Sequence, residues 1–398
     1  MRLRHQLAVY SPITASSVVA AAGAALGVTG DSRGSVEELL RRTYGADECV
    51  LCDSGTHALQ MAMGVARRLV GEGSRIAVPA FSCYDVATAA IAVGGDVCLY
   101  DIDPMTLSPD ADSLERVLNE GARVVVIAPL YGMPVDWDAA EALAAQFGAI
   151  LIEDAAQGHG GSWKGRRLGS LGRLTCLSFG RGKGWTSGGG GALLLRQIGG
   201  GVPSLGESAP RAELSTTIGL LAQAVLGRPA IYGLPNAMPS LHLGETTYVE
   251  PTTPRAMTRA AAAALSATEQ VSMVEAAVRV QNAELLRNAL EGVAHVRQFA
   301  PIGGGASGYL RFPLAMERGM ARFTDAHQAL RLGIAGSYPT TLAELPVLGS
   351  KLANGGEAFS GAKRLARDLI TLPTHSLVKD SERAKIAALL RNCIKTAV

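Results

Sequence analysis

Between about residues 48 and 195, short apolar runs alternate with helical stretches, and this pattern constrains the fold more than any other feature. Cys49 to Cys52, Arg75 to Val78, Asp96 to Tyr100, Val124 to Ala128, Ala149 to Ile152 and Thr175 to Leu177 read as strands. Thr56 to Leu69, Tyr84 to Val93, Ser113 to Asn119 and Asp138 to Phe147 read as the helices between them. Strands that are apolar throughout, rather than on alternate residues, belong to a sheet covered on both faces, and such sheets are mostly parallel. The expected class is therefore α/β, with ligands at the carboxyl ends of the strands.

At 398 residues the chain exceeds one small core, and two domains are expected. The large domain is placed at 1–255, with a seven-stranded type of sheet, and a smaller α+β domain at 256–398. In that smaller part, helical pattern runs from Thr258 to about Leu265 and again from Thr268 to Leu290. Tyr309 to Phe312 reads as a strand and Ser381 to Ile394 as the closing helix. Residues 196–255 interrupt the alternation with Gly, Pro and Ser around an apolar stretch, Ile218 to Leu234, that reads as an unusual insertion. Gln223, Arg228 and Pro229 break that stretch, so no transmembrane span is expected. A buried helix or a dimer contact is the favoured reading, and a carrier or peripheral membrane contact the alternative.

A net charge of +2 with scattered basic residues gives no field for nucleic acid. The six cysteines lie mostly in apolar text, where a thiol acts as a small hydrophobe. Cys49 and Cys52 have the spacing of a metal pair but no second pair completes a site, so no metal is expected. Unpaired thiols fit a reducing, cytoplasmic setting. Arg2, Arg4 and His5 precede an Ala-rich run from Ser16 to Leu26, which reads as a helix of the fold rather than a signal segment.

Three pieces carry chemistry. Lys183 lies in a Gly-rich turn, Ser178-Phe179-Gly180-Arg181-Gly182-Lys183, directly after a strand; a lysine amine forms imines with carbonyls. Asp154 closes a buried strand, a costly place for an acid without a cationic partner, and a pyridinium nitrogen supplies one. Asp53-Ser54-Gly55-Thr56 forms a strand-to-helix junction whose N–H groups and hydroxyls suit a phosphate, with Ser178 as a further hydroxyl. The order of cup, strand-end acid and turn lysine describes a domain that binds pyridoxal 5'-phosphate (PLP).

The chain resembles the DegT/StrS family of PLP-dependent sugar aminotransferases, with an aspartate-aminotransferase-like fold. The likeness rests on Ser54-Gly55-Thr56 with Ala58-Leu59, Val78-Pro79, Asp101-Ile102-Asp103, Tyr131-Gly132-Met133-Pro134 with Asp136, and Glu153-Asp154-Ala155-Ala156-Gln157. Gly169-Ser170-Leu171-Gly172, Ser178-Phe179, Lys183 and Leu372-Pro373-Thr374-His375 extend it. The resemblance implies a homodimer with shared active sites, transferring an amino group from glutamate to a nucleotide-linked keto-sugar. It implies that Lys183 holds the cofactor as a Schiff base and shuttles a proton, and that Asp154 holds the pyridine nitrogen. Gln157 is then placed near the ring hydroxyl, and Gly55, Thr56 and Ser178 on the phosphate. Lysine, where a dehydratase branch has histidine, favours amino transfer. Cys83 stands where the family often stacks an aromatic on the ring, with Phe81 or Tyr84 as neighbouring substitutes. Pro129, Gly189 and Pro254 replace a histidine, a glutamate and a partner-subunit asparagine. Arg181, His159 and Tyr338 are the candidate substrate contacts, and His57, His242 and Glu245 weaker ones.

Overall fold

The computed structural model describes residues 4–199, 201, 205–236 and 246–393. The first part runs α1 Ala15–Ala25, α2 Arg33–Tyr44, β1 Glu48–Cys52, α3 Gly55–Val70, β2 Arg75–Pro79, α4 Tyr84–Ala92, β3 Val97–Tyr100 and α5 Ala111–Asn119. It continues with β4 Ala122–Ile127, α6 Trp137–Gln146, β5 Ile150–Asp154, β6 Ser162–Trp163, β7 Arg166–Arg167, β8 Leu174–Ser178 and β9 Gly191–Leu195.

Seven of these strands form one sheet in the order β1-β9-β8-β5-β4-β2-β3. The contacts β3–β2, β2–β4, β4–β5 and β5–β8 are parallel, while β9 runs antiparallel to both β8 and β1. The strands are apolar throughout because helices cover both faces: all of β3 and all of β9 are buried. Since β1, β5 and β8 point the same way, their carboxyl ends open on one edge, and the chemistry collects there.

The rest comprises α7 Pro210–Leu226, α8 Gly233–Asn236, α9 Arg259–Ala289, β10 Arg297–Gln298, β11 Gly305–Ala306, β12 Phe312–Ala315, α10 Ala326–Arg331, β13 Ala335–Gly336, α11 Ser360–Asp368, β14 Leu369–Leu372 and α12 Asp380–Asn392. A four-stranded antiparallel sheet, β10-β12-β14-β13, forms its centre, and β11 reaches across to pair with β6.

Three expectations are corrected. The two helical stretches after Thr258 are one helix, α9. No Gly or Pro interrupts it, and Thr268 returns its hydroxyl to the Ala264 and Leu265 carbonyls without breaking the ladder. The strand placed at Tyr309 begins instead at Phe312, because Tyr309 takes a φ of 41°, which no strand accommodates. The apolar stretch from Ile218 is not a buried helix: α7 lies outermost on α1 and α9, burying Leu220 while Leu214, Ile218, Leu221 and Val225 are each more than half exposed. No helix among the described residues is long and apolar enough to cross a membrane. His242 and Glu245 lie outside the described residues.

Candidate active site

The carboxyl ends of β1, β2, β4, β5 and β8 surround a cavity of about 260 Å³. Asp53 to Thr56 enter it after β1, Ser82 and Cys83 after β2, Ala128 to Leu130 after β4, and Asp154 and Gln157 at and after β5. Ser178 ends β8, Lys183 comes from the turn before β9, and Tyr338 follows β13.

One wall is an anion cup. Ser54 caps α3, accepting from the His57 N–H at 3.1 Å, so the helix starts with its N-terminal amides towards the cavity. The N–H groups of Gly55 and Thr56 have no acceptor within the helix and suit a dianion at the positive end of its dipole. The cup closes tightly. A Cβ on Gly55 would stand 2.5 Å from Ser178 Cβ, and one on Gly191 would stand 2.4 Å from the Ser54 oxygen. Gly55→Ala should therefore force the cup open at about 1–3 kcal/mol, a loss of roughly 10- to 100-fold in PLP affinity. Titration of cofactor absorbance reads it, and unchanged affinity would remove Gly55 from the cup.

Asp154 and Lys183 face each other across the cavity's other end. Burial pushes the Asp154 carboxyl above its ordinary pKa, and the Lys183 charge pulls it back. Its Oδ1 also accepts from the Ala156 N–H at 3.1 Å. The preceding Glu153 points to the other face, where it accepts from the N–H groups of Gly169, Leu171 and Gly172 and from the Thr175 hydroxyl, so its work is structural. The lysine turn is pinned from outside. Ser11 Oγ donates to the Lys183 oxygen at 2.5 Å, and buried Arg279 donates to the Gly184 oxygen at 3.4 Å. Trp185 packs beneath, edge to face with Phe179, its indole N–H on the Leu265 carbonyl.

Gln157 is held from both sides. Its Oε1 accepts from the Tyr131 N–H, and its Nε2 donates to the Tyr338 hydroxyl, each at 2.8 Å. Cys83 lines the cavity. Burial pushes its thiol up to about 12, and it donates to Asp85 Oδ2 at 3.4 Å. Three expected residues lie elsewhere. Tyr84 begins α4, after the extended cap residue Cys83, and turns its hydroxyl to Thr340 at 2.5 Å rather than lining the cavity. Arg181 is exposed, outside the cavity lining. His159 is half-buried, packed under Gly184 of the lysine turn and against Trp185 and the Ser272 carbonyl. His57 binds Asp53 through Nδ1 at 2.5 Å and Thr252 through Nε2 at 2.9 Å, tying the loop before α9 to the cup.

Sequence reasoning passed over Asp85 and Ser82, which line the cavity beside Cys83. Their signal was available: both flank the start of a helix that follows a buried strand. Burial also holds His159 and His375 down at about 4. The unfolded chain binds protons near pH 6.5 that the folded protein refuses until about pH 4. Their stability contribution is thus complete above 6.5 and lost as pH falls, by about 3 kcal/mol per histidine at pH 4. His375→Gln should flatten the fall of Tm between pH 6.5 and 4, whereas an unchanged slope would contradict this.

An anion cup, a strand-end acid and a turn lysine thus stand together at the carboxyl edge of a mostly parallel sheet. The set fits pyridoxal 5'-phosphate: the cup matches its phosphate, Asp154 its pyridine nitrogen, and Lys183 its aldehyde. Residues 14–197 match the DegT/DnrJ/EryC1/StrS aminotransferase family. The chain is 33% identical over 166 residues to a 3-amino-5-hydroxybenzoate synthase of Amycolatopsis mediterranei, covering 42% of each protein. It is 35% identical over 173 residues to an L-glutamine:2-deoxy-scyllo-inosose aminotransferase of Streptoalloteichus tenebrarius, covering 42% of this chain and 40% of the relative. The matched stretch thus spans about two fifths of those curated relatives' length. The fold extends further. A crystal structure of 3-amino-5-hydroxybenzoic acid synthase superposes with a TM-score of 0.76 over 98% of this chain and 99% of that one, at 19% identity.

Proposed function

We propose that this chain is an aminotransferase that moves an amino group from an amino acid, glutamate or glutamine, to a keto group on a sugar-like ring, nucleotide-linked in the expected case. The observation that carries this reading is Lys183 and Asp154 lining one cavity with the Ser54–Thr56 cup. When bound, PLP supplies an electron sink conjugated to the substrate nitrogen. Asp154 keeps a proton on the ring nitrogen, which maintains that sink. Lys183 Nζ would hold the cofactor's aldehyde carbon and, as a free amine, would take and return the proton of the substrate carbon. Gly55, Thr56 and Ser178 hold the phosphate, while Gln157 and Cys83 flank the ring. Tyr338, which lines the cavity, stands towards the substrate.

The similarity to an L-glutamine:2-deoxy-scyllo-inosose aminotransferase supports the acceptor class. A homodimer is part of the proposal. The exposed apolar face of α1 and α7, with Val19, Leu26, Ile218 and Leu221, supports a subunit contact. The free cysteines support a reducing, cytoplasmic setting. A single-chain mass by light scattering at all concentrations would rule the dimer out. That same apolar face favours a second reading, a carrier- or lipid-linked acceptor. Retention of the protein by lipid vesicles in a flotation assay would favour that reading over the dimer.

The test is a half-reaction. Protein loaded with PLP and given L-glutamate or L-glutamine should bleach its visible band and release one 2-oxo acid per site. If no proteinogenic amino acid does this, the transamination reading fails.

A further inference from the structure

The titratable side chains that line the cavity, among the described residues, are Asp53, Cys83, Asp85, Asp154, Lys183 and Tyr338. Most have a task. Asp154 is set for the ring nitrogen and Lys183 for the aldehyde. Asp53 is engaged by the α3 histidine, His57, through Nδ1 at 2.5 Å, and the Tyr338 hydroxyl accepts from Gln157 at 2.8 Å. Lys183 is the lone cation among these lining residues, set against three carboxylates. Asp85 is the carboxylate left without a partner of opposite charge.

Asp85 lies in the first turn of α4, where an acid suits the positive end of a helix. That alone would make it structural. Its hydrogen bond points elsewhere: Oδ2 accepts from the Cys83 thiol at 3.4 Å, and among the described residues no backbone N–H donates to the carboxylate and no cation pairs with it. The residue is half-buried and shares the cavity wall with Lys183. Cys83 stands where an aromatic would stack on the cofactor ring, so a small thiol borders the carboxylate and leaves it open to the cavity. The two charges also reach the same groups. Burial raises the Cys83 thiol most, Asp85 raises it further and Lys183 lowers it. Asp154 is likewise raised by burial, pulled back by Lys183 and pushed up by Asp85.

Condensation of the Lys183 amine with an aldehyde releases water and leaves a C=N bond. Its nitrogen stays positive only while it keeps a proton. A carboxylate in the same enclosed space favours that charged form. We propose that Asp85 is the counter-charge of the Lys183–cofactor linkage, its carboxylate holding the proton on the linkage nitrogen at neutral pH. A charged C=N carbon is the more electrophilic, so Asp85 readies the linkage for the nitrogen of the amino donor. The inference rests on the reading that Lys183 holds PLP.

The experiment uses the full chain loaded with PLP, as wild type, Asp85→Asn, Asp85→Ala and Asp85→Glu. Each is titrated with pH while the visible band is recorded, with circular dichroism and Tm as controls for folding. The protonated linkage absorbs at longer wavelength, and its midpoint should fall by about one pH unit in Asp85→Asn and Asp85→Ala, a tenfold loss of proton affinity. Asp85→Glu keeps the charge and should titrate close to wild type. A residue that served α4 alone would move Tm and leave the midpoint in place. Equal midpoints in wild type, Asp85→Asn and Asp85→Ala overturn the inference, even where turnover falls. A wild-type chain that takes up PLP with no band sensitive to Lys183→Ala would instead sink the cofactor reading, and this inference with it.

Discussion

Lys183→Ala is expected to leave a folded protein that has lost amino transfer by on the order of 10⁴-fold. The change removes both the covalent anchor and the base that moves the substrate proton, and no described lysine other than Lys183 lines the cavity. The fold should survive. The lysine turn is held by its backbone, through Ser11 and Arg279, and by Trp185 beneath, none of which touches the lysine amine. Added PLP should still enter the cup, but as free aldehyde with its own spectrum. Exogenous alkylamines should restore part of the rate by standing in for the missing amine. A variant with wild-type turnover would remove Lys183 from the mechanism.

Asp154→Asn comes second in size. Asparagine is isosteric and keeps the Ala156 contact within reach, so stability should change little. What it loses is the charge that holds a proton on the ring nitrogen, and a preorganised charge of this kind is worth roughly 10² to 10³ in kcat. Burial raises the pKa of the carboxylate, and the Lys183 charge and the Ala156 N–H offset part of that cost. In the variant that burial penalty disappears, so thermal stability without cofactor should hold or rise slightly while kcat falls. A variant that kept full kcat would show that the ring nitrogen has no need of its partner.

Much of this was legible in the residues because the physics is local. Buried parallel strands leave continuous apolar text, and β3 and β9 show it most plainly. The acid at the end of β5 and the lysine in a Gly-rich turn announce themselves by residue type and by position after a strand. What was hidden depends on distant partners. Tyr84 is adjacent to Cys83 in the chain, yet the backbone passes from an extended cap residue into a helix between them, and their side chains part. His159 follows Asp154 by five residues, but the close packing of Gly184 against its Cβ shows it supporting the lysine turn from below. The apolar stretch read from Ile218 to Leu234 overlaps α7 only in its second half, and the side that α7 turns to solvent was not readable.

The central claim is that Lys183 is the residue that binds the cofactor covalently. Protein incubated with PLP, reduced with borohydride, digested and mapped by mass spectrometry tests it directly. The account predicts one pyridoxyl label per chain, on the peptide containing Lys183, and none there in the Lys183→Ala variant. A label on Lys164, Lys351, Lys363 or another lysine instead, or no label at all, would contradict it.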